Sequence, residues 1–260
     1  MIYAVGDIHG RLGPLEEALS RIEADGTGAP VVFLGDLVDR GPSSRQVIER
    51  LMEGQAEGRP WIVIKGNHDR MFSRFVRTGD PTDGAIKSGR TWLHDRLGGP
   101  MTLASYAGTP SFLHERGGGL DTLMSYEIDV AAERRLASVA ADAREAVPEA
   151  HLDWIDALPL AHGVEGCFFV HAGIRPGVPL AEQAEDDLLW IREPFLDHTG
   201  AHPALVVHGH TPVEAPMHCG NRVNLDTGAG YGGPVTAAVF EDGEVSVLGE
   251  RGRERLVPPA

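Results

Sequence analysis

Three short apolar runs near the amino terminus each end in a loop of charged and amide residues, and each loop is followed by a helical pattern. Residues 2–6 run into Gly6-Asp7-Ile8-His9-Gly10. Residues 31–34 run into Gly35-Asp36-Leu37-Val38-Asp39-Arg40-Gly41, and residues 61–64 into Lys65-Gly66-Asn67-His68-Asp69. Behind them, Leu12, Leu15, Leu19 and Ile22 recur at helical spacing, then Val47, Ile48, Leu51 and Met52, then Met71, Phe72, Phe75 and Val76. This alternation constrains the chain to an α/β fold with a largely parallel sheet and helices packed on it. Ligands in open sheets of this kind sit beyond the carboxyl ends of the strands. The charged residues fall at those ends.

The remainder of the chain divides into two stretches. Residues 79–160 hold few strand-like runs, scattered glycines and an Ala/Arg/Glu-rich segment at 130–147; they read as a mostly helical cap inserted into a single domain spanning 1–260. Strand character then returns at residues 167–170, which lead into His171-Ala172-Gly173, and at 204–207, which lead into His208-Gly209-His210-Thr211-Pro212. Short strands are expected at 222–226, 235–240 and 244–248, the last two joined by the hairpin signal Asp242-Gly243. The end, 251–260, reads as a frayed tail.

Charge narrows the partners. A formal net charge of −15 argues against a nucleic-acid strand, which needs a basic surface. A small phosphorylated substrate stays open, because bound metal ions supply positive charge locally. No run of about 18 apolar residues exists to span a membrane, and the first strand leaves no room for a basic leader segment. The two cysteines, Cys167 and Cys219, lie far apart and suit reduced thiols in a cytoplasmic protein.

Five strand ends thus present Asp7 with His9, Asp36 with Asp39, Asn67 with His68, His171, and His208 with His210. Carboxylate, imidazole and amide oxygen together suit divalent first-row metals. A two-metal site needs a ligand that bridges ions about 3.5–4 Å apart, which a carboxylate does. Each motif alone has a plain alternative: Asp7 as a helix cap, Gly-Asn-His-Asp as an ordinary loop, His171 as a core histidine. Their order along the chain removes coincidence as an explanation.

As an ordered set, these motifs resemble those of the calcineurin-like metallophosphoesterases, and in particular the phosphoprotein-phosphatase branch with its bacterial and phage members. The resemblance spans residues 6–211. It implies a four-layer α/β/β/α sandwich with a dinuclear metal centre at the strand ends. Asp7 and His9 would then hold the first metal, Asp36 would bridge, and Asn67, His171 and His210 would complete the second. The ions would be divalent, Mn2+ first, with Fe, Zn, Co or Ni as alternatives. His208 sits where related proteins vary, and Pro212 stands where wider members place a further histidine.

The implied chemistry is in-line attack on phosphorus by a hydroxide bridging the metals. Arg40 would hold the phosphoryl oxygens with its fork of donors. Arg192, in Leu189-Trp190-Ile191-Arg192-Glu193, is similar to a second phosphate-holding arginine of the phage-type enzymes, and it also reads as a surface ion-pair residue. His68 would protonate the leaving oxygen, oriented and kept protonated by Asp39.

Three functions are open at this level. The leading one is a serine/threonine-type phosphoprotein phosphatase. The second is a hydrolase of dinucleoside polyphosphates, suggested by Asp69 where the protein phosphatases carry Glu. The third is a non-catalytic metal- or phosphate-binding regulator. Trp92, Tyr106, Phe112 and Tyr126 are the aromatic residues of the cap and read equally well as core or as stacking surfaces for a base.

Overall fold

A computed structural model describes residues 1–85, 119–128 and 136–259 of the chain, with the side chains at 119–121, 136 and 139 left aside. Two sheets lie face to face. The first has the order β11-β10-β9-β1-β2-β3, with β1 at Ile2–Val5, β2 at Val31–Phe33, β3 at Trp61–Val63, β9 at Ala237–Glu241, β10 at Glu244–Gly249 and β11 at Gly252–Arg255. The second has the order β4-β5-β6-β8-β7, with β4 at Ala161–Val164, β5 at Cys167–Val170, β6 at Leu205–His208, β7 at Met217–His218 and β8 at Arg222–Asn224.

The alternation of side chains along a strand builds the layers. On β1 and β2, Tyr3, Val5, Val31 and Phe33 face the helices α1 (Leu12–Asp25), α2 (Ser44–Ala56) and α3 (Asn67–Thr78), in one core with Leu15, Val47, Leu51, Phe72 and Phe75. Their neighbours Ile2, Ala4, Val32 and Leu34 point the other way, into a second core with Phe169, Val207, Val223 and Phe240 of both sheets. Beyond the second sheet, Phe168, Val170 and Val206 pack with Leu188 of α7 (Glu185–Trp190), Ile191 and Phe195. The result is the expected sandwich of helices, sheet, sheet and helix. Because the middle strands are buried on both faces, they read in the sequence as unbroken apolar runs.

The sheets are mixed, which corrects the expectation of a largely parallel one. Parallel pairing holds at β1–β2–β3, which form one half of the first sheet with β3 at its edge, and at β5–β6–β8 inside the second. The other pairs are antiparallel: β9 returns beside β1, and hairpins add the rest, β9 to β10 turning at Asp242 and Gly243 with φ of 50° and 80°. Residues 252–255 form the edge strand β11 where a frayed tail was expected. Arg253 secures it, donating to Asp25 and Glu241. Gly-Arg-Glu-Arg has no apolar alternation because all four residues are exposed, as edge strands commonly are. The edge strands β4 and β7 hold no buried residue either, and show no apolar alternation.

Within the stretch read as a cap, the described helices are α4 (Gly119–Ser125), α5 (Leu136–Ala146) and α6 (Glu149–Ala157). Their buried residues Leu123, Tyr126, Ala143, Leu152 and Ile155 join the core that α2 and α3 share with the first sheet. Tyr126 is buried, its hydroxyl 2.8 Å from His151 Nδ1, so it is a core residue. Trp92, Tyr106 and Phe112 lie outside the described residues.

Candidate metal centre

The strand ends converge on Asp36. Gly35 and Gly66 let two loops cross there: a Cβ on Gly66 would stand 2.3 Å from Asp36 Oδ1 and 2.1 Å from its backbone nitrogen. A Cβ on Gly209 would stand 1.9 Å from Asp7 Oδ1. These glycines are therefore required by close approach. Of the seven non-glycine residues with positive φ among those described, five are His9, Asp36, Asp39, Arg40 and His210. Such conformations cost about 1–3 kcal/mol each and persist where surrounding contacts over-determine them.

Hydrogen bonding from below aims the ligand atoms. His9 Nδ1 lies 3.0 Å from the Val38 carbonyl and His171 Nδ1 lies 2.8 Å from the Leu34 carbonyl, so each ring donates backwards and turns Nε2 into the site. This arrangement selects the tautomer that leaves a lone pair for a metal. The two oxygens of Asp36 are divided: Oδ1 lies 3.4 Å from His171 Nε2, while Oδ2 lies 3.6 Å from His9 Nε2 and 4.0 Å from His68 Nε2. Two groups of side chains able to hold an ion result, His9–Asp36–His68 and Asp36–His171–His210, and Asp36 is common to both. Asn67 Oδ1 sits 2.8 Å from His171 Nε2 and 2.9 Å from His210 Nδ1.

Acceptors turned toward one another in a buried site need a cation between them. One is already drawn in: the Arg40 guanidinium reaches His9 Nε2 with Nη1 and lies 3.1 Å from His68 Nε2 with Nη2. The donor set therefore fits divalent ions. Asp7 is buried in the same place and accepts the His210 backbone N–H at 3.1 Å.

Electrostatics point the same way. Burial, then the charges of Asp226 and Asp36, push the Asp7 carboxyl well above the usual range. Burial, then the Arg40 guanidinium, holds His9 well below its ordinary value, and burial with His171 does the same to His210, so both imidazoles are neutral and free to ligate. At Asp36, burial is outweighed chiefly by neighbouring His171 and His68, whose backbone N–H also donates to Oδ1 at 3.0 Å, and the carboxyl is held below the usual range. A metal-free site is thus a cluster of buried carboxylates short of positive charge.

The dyad at the edge of this cluster is formed: His68 Nδ1–H donates to Asp39 Oδ2 at 2.5 Å. Arg40 continues outward, its guanidinium 4.9 Å from the centre of the Tyr231 ring, which is 64% exposed. Arg192 is exposed and stands close enough to His210 to help keep that ring neutral. His208 is turned away, its ring against Phe195 at 5.0 Å, in neither ion-holding group.

Sequence reasoning did not reach Asp226, buried beside Asp7, although its motif Leu225-Asp226-Thr227-Gly228 was visible. Asp69 proves structural: its carboxylate accepts the Leu37 N–H at 2.9 Å and the Gly66 N–H at 2.8 Å, tying the Asp36 loop to the start of α3. Thr122 and Tyr231 had no signal beyond their residue type.

This fold and site belong to a known class. Residues 1–248 match the calcineurin-like phosphoesterase family, and the chain is a member of it, a metal-dependent phosphoric ester hydrolase. Among curated proteins it is similar to the asymmetrical bis(5'-nucleosyl)-tetraphosphatase of Bacillus thuringiensis, 28% identical across 92% of this chain and 90% of that one. It is also similar to the enzyme of the same name from Anoxybacillus flavithermus, 26% identical across 94% and 92%. A crystal structure provisionally described as a diadenosine tetraphosphatase superposes with a TM-score of 0.62 at 21% identity, over 95% of this chain and 92% of that one. A cold-active protein-tyrosine phosphatase of a psychrophilic Shewanella superposes at 0.56 with 16% identity, over 98% and 80%. These two likenesses speak for the fold alone.

Proposed function

We propose that the protein hydrolyses dinucleoside polyphosphates, cutting a bis(5'-nucleosyl) tetraphosphate off-centre into a nucleoside monophosphate and a nucleoside triphosphate. The observation that carries this reading is the end-to-end similarity to curated relatives bearing that activity in their names. The exposed Tyr231 ring beside Arg40 supports it, because a flat aromatic face next to a phosphate-holding cation suits a nucleotide.

In this reading Asp7, His9 and Asp36 would hold one divalent ion and Asp36, Asn67, His171 and His210 the other, with Mn2+ first among the metals. Bound there, the ions supply charge to the phosphate oxygens and acidify the attacking water. Arg40 clamps the phosphate with its guanidinium fork, and Arg192 offers a second cation at the rim. His68 presents Nε2 to the leaving oxygen while Asp39 holds Nδ1–H and fixes the ring. The segment 79–160 acts as a helical cap that limits what approaches, and the protein works in the cytoplasm.

One observation favours the serine/threonine phosphoprotein phosphatase as a second reading. A nucleoside triphosphate leaves as a weakly basic phosphate and needs little protonation, whereas a serine alkoxide needs an acid, and the His68–Asp39 dyad is built. Family membership argues against a non-catalytic regulator.

A substrate panel with Mn2+ separates the readings. Diadenosine tetraphosphate is expected to exceed a phosphoserine peptide in kcat/KM by about 100-fold, with p-nitrophenyl phosphate hydrolysed slowly. A preference for the peptide would transfer the assignment to the phosphatase, and no turnover of any of the three would remove the hydrolase reading.

A further inference from the structure

The acid dyad does not stand on strand-end residues alone. Asp39 Oδ2 meets His68, and its other oxygen, Oδ1, accepts a hydrogen bond from Thr122 Oγ1 at 2.7 Å. The Asp39 backbone N–H donates back to Thr122 Oγ1 at 2.9 Å and lies 3.1 Å from Ser44 Oγ, itself 3.1 Å from the threonine hydroxyl. Thr122 belongs to α4, 83 residues further along the chain. Asp39, Ser44 and Thr122 are all fully buried. A hydroxyl has one proton to give and two lone pairs to receive. Here the proton goes to the carboxylate and a lone pair takes the amide of a residue held at φ 73°.

Docking of α4 also has contacts of its own. Leu123 and Tyr126 bury the helix against the core. Ser125 Oγ accepts the Arg45 N–H at 2.9 Å and ties the helix to the start of α2. The Thr122 hydroxyl donates to Asp39 Oδ1, while His68 is held by Oδ2, so the two carboxylate oxygens have different partners.

We propose that Thr122 is a positioning residue for leaving-group protonation: its hydroxyl fixes the Asp39 carboxylate so that Oδ2 holds His68 with Nε2 aimed at the leaving oxygen. The inference rests on the reading of His68 as the acid. It makes the segment carrying α4 part of the catalytic apparatus, with an effect that grows with the basicity of the leaving group.

The test compares Thr122→Val, Thr122→Ser, His68→Asn and the double variant His68→Asn/Thr122→Val in Mn2+-loaded enzyme, on phenyl phosphate (a poor leaving group) and p-nitrophenyl phosphate (a good one). Thr122→Val is expected to lower kcat on phenyl phosphate roughly tenfold and on p-nitrophenyl phosphate distinctly less, with KM and metal content retained. Thr122→Ser restores most of the loss. In the His68→Asn background the valine adds nothing, since there is no acid left to aim. An equal loss on both substrates, or a loss that adds in full to that of His68→Asn, overturns the proposal. If His68→Asn itself shows no dependence on the leaving group, the acid reading has failed, and the positioning role fails with it. Should the valine variant not fold, Thr122→Ala takes its place with the same outcomes.

Discussion

The two sides of the Asp36 loop are built differently. On the metal side, Asp36, His9, His171 and Asn67 stand at the ends of central strands or at the first residue of α3, and backbone carbonyls under those strands aim the imidazoles. On the acid side, Asp39 sits three residues further along, and a hydroxyl from the distant helix α4 completes its environment. The metal side is therefore as rigid as the sheets, whereas the acid side depends on how α4 packs. In the proposed reading, charge placement rests on strand ends and proton delivery on a hydrogen bond from a helix outside the sheets.

The largest effect is expected from breaking the side built on the sheets. Asp36→Asn removes the carboxylate shared by both ion-holding groups, so metal content falls together with activity, the latter by about 1,000-fold or more. Elemental analysis alongside turnover checks this, and full metal occupancy in the variant would contradict the bridging role.

On the acid side the loss is smaller and differs in kind. His68→Asn should lower kcat by roughly 100-fold for esters of poorly acidic alcohols, and less for good leaving groups, while both metals stay bound. A variant that loses metal would move His68 to the other side of the comparison, where its proximity to His9 and Asp36 makes it geometrically able to stand.

The smallest effect concerns the scaffold behind the metal side. Burial pushes the His208 imidazole down to about 3, so the folded protein leaves it neutral while the unfolded chain takes a proton near the ordinary value of 6.5. Stability therefore falls as pH drops from about 6.5 toward 3. Asp69, raised to about 7 by burial and the Asp36 charge, works in the opposite sense in metal-free protein, so the comparison must isolate His208. Urea midpoints of metal-free wild type and His208→Gln at pH 7 and pH 5 do so. The drop should be larger in wild type, and equal drops would exclude His208 as a source.

Much of this was written in the order of residues. Apolar runs such as Val31-Val32-Phe33 mark central strands because both faces of those strands are buried, and a motif placed directly after a strand inherits a known position at the sheet's end. His9, Asp36, His171 and His210, which fall in the two ion-holding groups, and Asp7 and Asn67 beside them were legible as candidates for that reason. The edge strand β11 could not be read, since exposed Gly-Arg-Glu-Arg carries no burial pattern. Neither could the mixed pairing of the sheets, which depends on how β9 returns beside β1.

What the sequence determined alone is the candidate donors and their order: residue chemistry and strand-end placement are local properties, legible a few residues at a time. Tertiary structure decided which donors face which. The two oxygens of Asp36 are assigned to different partners, His208 is turned onto Phe195, Tyr231 stands beside Arg40, and Thr122 closes on Asp39 across 83 residues of chain. A hydrogen bond between two buried polar groups is set by where packing places their backbones, and no spacing along the chain encodes that distance.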